Sequence, residues 1–230
     1  MLSCWINFTG GDQTLKIIIL DFDGVIVEST EIKTAAFRKL FSNYPSHVDE
    51  IVEYHEKNAG VNRYEKFKYI YKKILKQGLD RKKMIELGKR FSELVVEEIK
   101  ACPLVPGALE FLEKYSKILK LFIASSTPEE ELRMIVKARG LKKYFAGIYG
   151  APSKKSEITL RIMKKENASK DEVLFVGDSA ADLSEAIRAG VPFIGRVKDP
   201  AARPFPEGVK TISDLNELEA VVEELLRGLR

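Results

Sequence analysis

Lys16-Ile17-Ile18-Ile19-Leu20-Asp21-Phe22-Asp23-Gly24-Val25 decides how the rest of the chain is read. A short, wholly apolar run that ends in acids reads as a buried strand whose carboxyl end opens to solvent. There Asp21 and Asp23 form a carboxylate pair able to hold a cation or attack a substrate. A simple Asp turn after the strand is the bland rival, since aspartate favours turns.

Further apolar runs recur downstream: Leu119–Ala124, Gly147–Tyr149, Val173–Val176, Pro192–Ile194 and Val209–Ile212. Helical patterns fall between or after them, at Pro128–Lys137, Ser156–Lys165 and Leu215–Leu226. Strands alternating with helices imply a parallel sheet with right-handed crossovers. From about Thr30 to Cys102 the rhythm changes to apolar residues at three- and four-residue intervals, without a convincing strand. Ser46 with Asp49, Asn62 with Glu65, and Asp80 after Gly78 mark helix starts. The expected fold is therefore α/β: a Rossmann-like parallel sheet with helices on both faces and four helices inserted after the first strand. Cys102-Pro103-Leu104-Val105-Pro106-Gly107 is the stiff return to the core.

Composition narrows the class of function only a little. With 38 Lys and Arg against 34 Asp and Glu, the net charge of +4 suits an anionic small molecule as well as nucleic acid and by itself decides nothing. Basic runs such as Lys72-Lys73 and Lys142-Lys143 read as solvated helix faces. Cys4 and Cys102 lack metal-ligand spacing, and a reduced, cytoplasmic protein is expected. No apolar run approaches the ~20 residues that span a bilayer. Residues 1–14 read as a loose N-terminal extension, not a secretory signal.

In an open α/β sheet, ligands collect at the carboxyl ends of the strands. Those ends carry Asp21 and Asp23, then Ser125, Ser126 and Thr127, then Lys154 and Lys155, then Gly177, Asp178, Ser179 and Asp182. In this arrangement the chain resembles the haloacid dehalogenase superfamily, in particular its phosphatase and β-phosphoglucomutase-like members with an inserted helical cap. Asp21-Phe22-Asp23-Gly24-Val25 matches the first motif and Ile123-Ala124-Ser125-Ser126 the second. Lys154 or Lys155 fits the third, and Gly177-Asp178-Ser179-Ala180-Ala181-Asp182 the fourth.

The resemblance implies core segments at 15–28 and 104–230 and a cap at 29–103. It makes Asp21 the nucleophile that forms an aspartyl-phosphate, Asp23 the acid and base, and Asp21, Asp23, Asp178 and Asp182 the Mg²⁺ site. Ser125, the Ser126 backbone N–H and Gly24 would contact phosphate. A Gly-x-Pro-x-x-Lys pattern favours Lys155 over Lys154 as the charged partner, while Ser156 in place of the usual proline keeps Lys154 open. Arg63, in the loop Gly60–Lys66, resembles an arginine that takes a second phosphate. Its bland reading is a solvated residue beside the helix-capping Asn62.

The remaining polar residues have structural readings. Thr127-Pro128-x-Glu130 reads as a capping box, and Ser179 with Asp182 as another. His47 and His55 read as solvated or partly buried cap residues.

The expected activity is Mg²⁺-dependent hydrolysis of a small phosphorylated metabolite, of phosphoglycolate or sugar-phosphate type, by a monomer or homodimer. Nucleic acid and membrane are not expected partners. Asp23 argues against dehalogenation, in which no leaving alkoxide needs a proton. The rivals are a β-phosphoglucomutase-like phosphotransferase and a catalytically silent binding protein on the same fold. Lys33 stands where such mutases carry a histidine, which counts against the first rival.

Overall fold

A computed structural model describes residues 15–199 and 201–227; the N-terminal extension expected at 1–14, with Cys4, lies outside them. The core is a parallel sheet of six strands, ordered β3-β2-β1-β4-β5-β6. They are β1 Ile17–Leu20, β2 Lys120–Pro128, β3 Gly147–Ala151, β4 Val173–Gly177, β5 Phe193–Arg196 and β6 Thr211–Ile212. β1 lies inside, with Leu20 in register with Ile123 of β2 and Val176 of β4. Asp21 is thus delivered beside the ends of both neighbouring strands.

An isoleucine run suits β1 because both of its faces are covered. Ile17 and Ile19 pack towards Ile158 and Ile162 of α7 (Lys155–Glu166) and Leu183 and Ala186 of α8 (Ala180–Ala189). Ile18 and Leu20 join the opposite layer with Phe111 of α5 (Ala108–Tyr115), Ile135 of α6 (Glu129–Ala138) and Leu218 of α9 (Leu215–Arg227). All four strand side chains are buried, each worth about 1.5–3 kcal/mol for a residue of this size.

Between β1 and β2 the chain forms the expected four helices, α1 Thr30–Leu40, α2 Val48–Lys57, α3 Arg63–Tyr69 and α4 Arg81–Ala101. A π-helical turn, Ile70–Ile74, extends α3. Phe37, Phe41, Phe67 and Phe91 form their shared aromatic centre; the Phe37 and Phe91 rings are 5.0 Å apart, near edge-on. Asn62 and Asp80 cap α3 and α4 as expected, their side chains accepting from Tyr64 N and Lys83 N. Ser46 does not cap α2: the flanking residue is His47, and no side chain caps that end. The two crossings between sheet and inserted helices run together, Val105 N donating to Ile26 O and Glu28 N to Pro103 O, both at 3.0 Å.

β2 runs past its expected end at Ala124 as far as Pro128, with a register irregularity against β3. α6 consequently starts at Glu129 behind Pro128 with no side-chain cap. The capping box expected at Thr127 is not made, because that hydroxyl is drawn into the site.

Candidate active site

Asp21 is 4% exposed, and its Oδ2 lies 2.7 Å from Lys155 Nζ. Lys155 is equally buried and also contacts Asp182 Oδ1. The first residue of α7 thus aims its amine at the end of β1, whereas Lys154 is exposed. Of the two lysines, Lys155 is the one brought to Asp21. Asp182 works from the first turn of α8: its Oδ2 accepts from Ser179 N at 3.1 Å and Ser179 Oγ at 2.6 Å. One side chain thus both caps α8, as its spacing from Ser179 predicts, and holds the Lys155 amine.

Oxygen atoms of Asp21, Asp178 and Asp182 come within 4.8 Å of one another. Burial pushes the Asp21 carboxyl up to about 7; the Lys155 ammonium opposes this, and the Asp182 and Asp23 carboxylates reinforce it. Burial, with the charges of Asp182 and Asp21, also pushes Asp178 well up. Asp178 makes no hydrogen bond to the described residues. An all-oxygen set carrying more negative charge than Lys155 balances suits a hard divalent cation. Both oxygens of Asp182 are engaged, as are both of Asp21, whose Oδ1 accepts from Phe22 N at 2.6 Å, whereas Asp178 has no such partner among the described residues.

Gly24 makes that approach possible. It has φ +73°, and a Cβ there would lie 2.0 Å from Asp178 Oδ2. Glycine leaves room there for Asp178 in a left-handed turn.

Asp23 is held from three sides. Ser29 Oγ donates to its Oδ1 at 2.6 Å, Thr127 Oγ1 to its Oδ2 at 3.1 Å, and Lys33 Nζ sits 2.5 Å from Oδ2. Burial alone would raise this carboxyl, but the Lys33 charge and these hydrogen bonds outweigh it and hold Asp23 below its usual value. Ser125 is buried, accepts from Thr127 N through Oγ at 3.1 Å, and keeps its hydroxyl hydrogen for another acceptor.

The loop ahead of α3 covers these groups. Ser126 Oγ donates to Gly60 O at 2.6 Å, and Asn62 Nδ2 donates to Ser126 O at 3.1 Å. A Cβ on Gly60 would meet Ser179 Oγ at 2.2 Å, so glycine lets the loop lie directly on the sheet edge. What remains beneath is a chamber of ≈ 40 Å³ touching Asp21, Asp23, Lys33, His55, Ser125 and Asp178. A cleft of ≈ 760 Å³ adjoins it along Thr30, Ala59 and Asp178.

Arg63 is not brought into this chamber. It is 6% exposed, and its guanidinium forks onto Glu131 of α6, Nη2 to Oε1 at 2.5 Å and Nη1 to Oε2 at 3.1 Å. Nη1 also donates to Ser92 Oγ at 2.9 Å, and the group lies 4.5 Å above the Phe91 ring. Neither the second-phosphate contact nor a solvated residue is what the structure has; a buried ion pair between α3 and α6 is. Lys33, Ser29, Thr127, Glu131 and His55 were not read as site residues in the sequence. Ser29 and Lys33 stand together at the start of α1, but the others come from α2, β2 and α6, and no spacing rule joins these elements.

The sheet order, the acids at the end of β1 and the lysine opposite define an α/β protein with a candidate active site at the carboxyl edge of its parallel sheet. A family model described as haloacid dehalogenase-like hydrolase matches residues 18–196, and the chain belongs to that family of enzymes. It is 30% identical over 186 residues to a phosphorylated carbohydrates phosphatase of Thermotoga maritima, covering 77% of this chain and 82% of that protein. A β-phosphoglucomutase structure from Clostridium difficile superposes with a TM-score of 0.73 at 18% identity, covering 94% of this chain and 98% of that one. A haloacid dehalogenase-type hydrolase of Bacillus subtilis bound to magnesium gives 0.67 at 16%, covering 91% and 99%. The last two speak for the fold alone. Among the described residues, no helix is long and apolar enough to cross a membrane.

Proposed function

We propose that the protein is a Mg²⁺-dependent phosphatase of small phosphorylated carbohydrates that works through a phospho-aspartate. The observation that carries this reading is the convergence on one 40 Å³ chamber of Asp21, held by Lys155, and the unpartnered Asp178, with Asp23 facing them. The chamber and the 760 Å³ cleft that adjoins it together have room for a small sugar phosphate. The name of the Thermotoga relative supports the same substrate class.

Mg²⁺ would be held by Asp21, Asp178 and the Asp23 carbonyl, and when bound it neutralises the repulsion between carboxylate and phosphate. Asp21 Oδ attacks phosphorus, and the ester oxygen leaves. Lys155 favours the ionised form of the nucleophile and orients it, while the Ser125 hydroxyl and the Ser126 N–H receive phosphate oxygens. Asp23 passes a proton to the leaving oxygen, drawn from the Lys33 ammonium it already touches. In the second step Asp23 takes a proton from the attacking water, which returns the pair to its starting state and releases phosphate. Segment 29–103 acts as the cap, its Asn58–Asn62 loop excluding bulk water during transfer.

The test is release of inorganic phosphate from a panel of sugar phosphates and phosphoglycolate, with Mg²⁺ and then with EDTA. Hydrolysis that EDTA abolishes supports the reading. Isomerised sugar phosphate without free phosphate would make the protein a mutase. Inactivity across the panel, with no Mg²⁺-induced thermal shift, would return it to the binding-protein class.

A further inference from the structure

His55, at the C-terminal end of α2, is one of only two histidines in the chain and is 5% exposed. Its ring stacks on Phe37 with centroids 4.0 Å apart and planes 25° from parallel, which fixes the ring plane. Its Nδ1 lies 3.0 Å from Nζ of Lys66, a lysine 2% exposed on α3. Lys66 Nζ has two further partners, the carbonyls of His55 and Ala59, each at 3.2 Å. An ammonium has three N–H donors and no acceptor. Here it meets three acceptors, so in its charged form it donates to Nδ1 and leaves the imidazole proton on Nε2.

That second nitrogen makes no hydrogen bond to the described residues, yet it is absent from the enclosed, unpartnered polar atoms, where Arg139 Nε stands alone. Nε2 therefore keeps some exposed surface, and His55 borders the chamber that holds Asp21, Asp23 and Ser125. Burial and the neighbouring Lys66 charge keep the ring neutral, its pKa pulled down to about 2. A neutral donor with a fixed tautomer recognises an oxygen without competing for the phosphate charge.

We infer that His55 is a substrate-contacting residue, whose Nε2–H donates to a hydroxyl or ether oxygen of the leaving group, with Lys66 as its positioning residue. The inference deepens the phosphatase reading and rests on it. It assigns to α2 a selectivity for oxygen-rich esters that Arg63, locked on Glu131, does not provide.

The test compares glucose 6-phosphate with phenyl phosphate, an ester without a hydroxyl, at pH 6 with Mg²⁺. His55→Leu is expected to lower the ratio of kcat/KM for the sugar ester over the phenyl ester about tenfold, the worth of one hydrogen bond. His55→Gln, which can place an N–H near the same point, is expected to recover most of the ratio. An unchanged ratio in His55→Leu, whether both rates hold or both fall together, overturns the inference.

A second arm needs no turnover. In untagged His47→Gln protein labelled with ¹⁵N-histidine, a single imidazole remains. At pH 6 it should be neutral, protonated on Nε2, and shifted by saturating glucose 6-phosphate in the Asp21→Asn background. Protonation on Nδ1, or no response to the sugar phosphate, overturns the inference. If the wild type cleaves neither ester, the phosphatase reading fails by itself, and the spectrum alone decides the assignment of His55.

Discussion

Replacing Arg63 by Met tests what the structure changed most. The side chains of Arg63 and Glu131 are 5% and 10% exposed. Two guanidinium bonds join them, and Ser92 donates to the same Glu131 carboxylate while accepting from Arg63. Methionine keeps contact with the Phe91 ring but leaves the Glu131 charge buried without its partner.

Breaking such a pair from one side costs about 3–5 kcal/mol. In a protein of this size each kcal/mol moves the melting temperature by roughly 2–4 °C, giving an expected fall of roughly 6–20 °C. Glu131→Leu should cost a similar amount. The double variant Arg63→Met/Glu131→Leu should recover most of the loss, because the unpaired charge disappears with its partner. Calorimetry on the four proteins of the cycle, read beside KM for the best sugar phosphate, separates the two roles. If Arg63→Met melts within about 2 °C of the wild type while KM rises about tenfold, the reasoning fails and Arg63 is a substrate residue.

Three further outcomes follow from the site. Asp21→Asn should abolish turnover while the circular dichroism spectrum and cooperative unfolding persist; phosphate release at a normal rate would remove Asp21 as nucleophile. Gly24→Ala places a side chain at φ +73° and against Asp178. It should cost about 1–2 kcal/mol in backbone strain alone and weaken Mg²⁺ affinity measured by calorimetric titration; unchanged affinity would show that Asp178 is not a ligand.

Lys66 supplies the pH dependence. Burial first, then the Lys33 charge, pulls its amine down to about 7, with Asp178 opposing, against about 10.4 in an unfolded chain. Between those values the unfolded state binds a proton that the folded state does not, so this group adds stability as pH rises and loses it as pH falls through 7. The urea midpoint of the wild type should therefore gain on that of Lys66→Met from pH 7 to pH 9. A constant gap across that range would place the Lys66 pKa elsewhere.

The path from sequence to site was short wherever chemistry and local geometry coincide. An isoleucine run that must be buried on both faces fixes β1 as an inner parallel strand, and the chain direction then fixes Asp21 and Asp23 at its carboxyl end. The same logic made Ser125 and Asp178 legible, and helical periodicity with the Asn62 and Asp80 caps made the four inserted helices legible too. Ser46 and Thr127 show its limit: each has a capping residue's chemistry, but α2 begins past the first and Asp23 engages the second.

Arg63 and His55 needed the tertiary structure. A guanidinium suits a phosphate and a buried carboxylate equally well, and only the docking of α3 against α6 supplies Glu131. A histidine on a charged helix looks solvated until Phe37, Lys66 and the chamber close around it. Residue type and order set which groups stand at the strand ends, since the backbone carries them there. Which partner each distant side chain meets was decided by packing, because those contacts join elements that no sequence period connects.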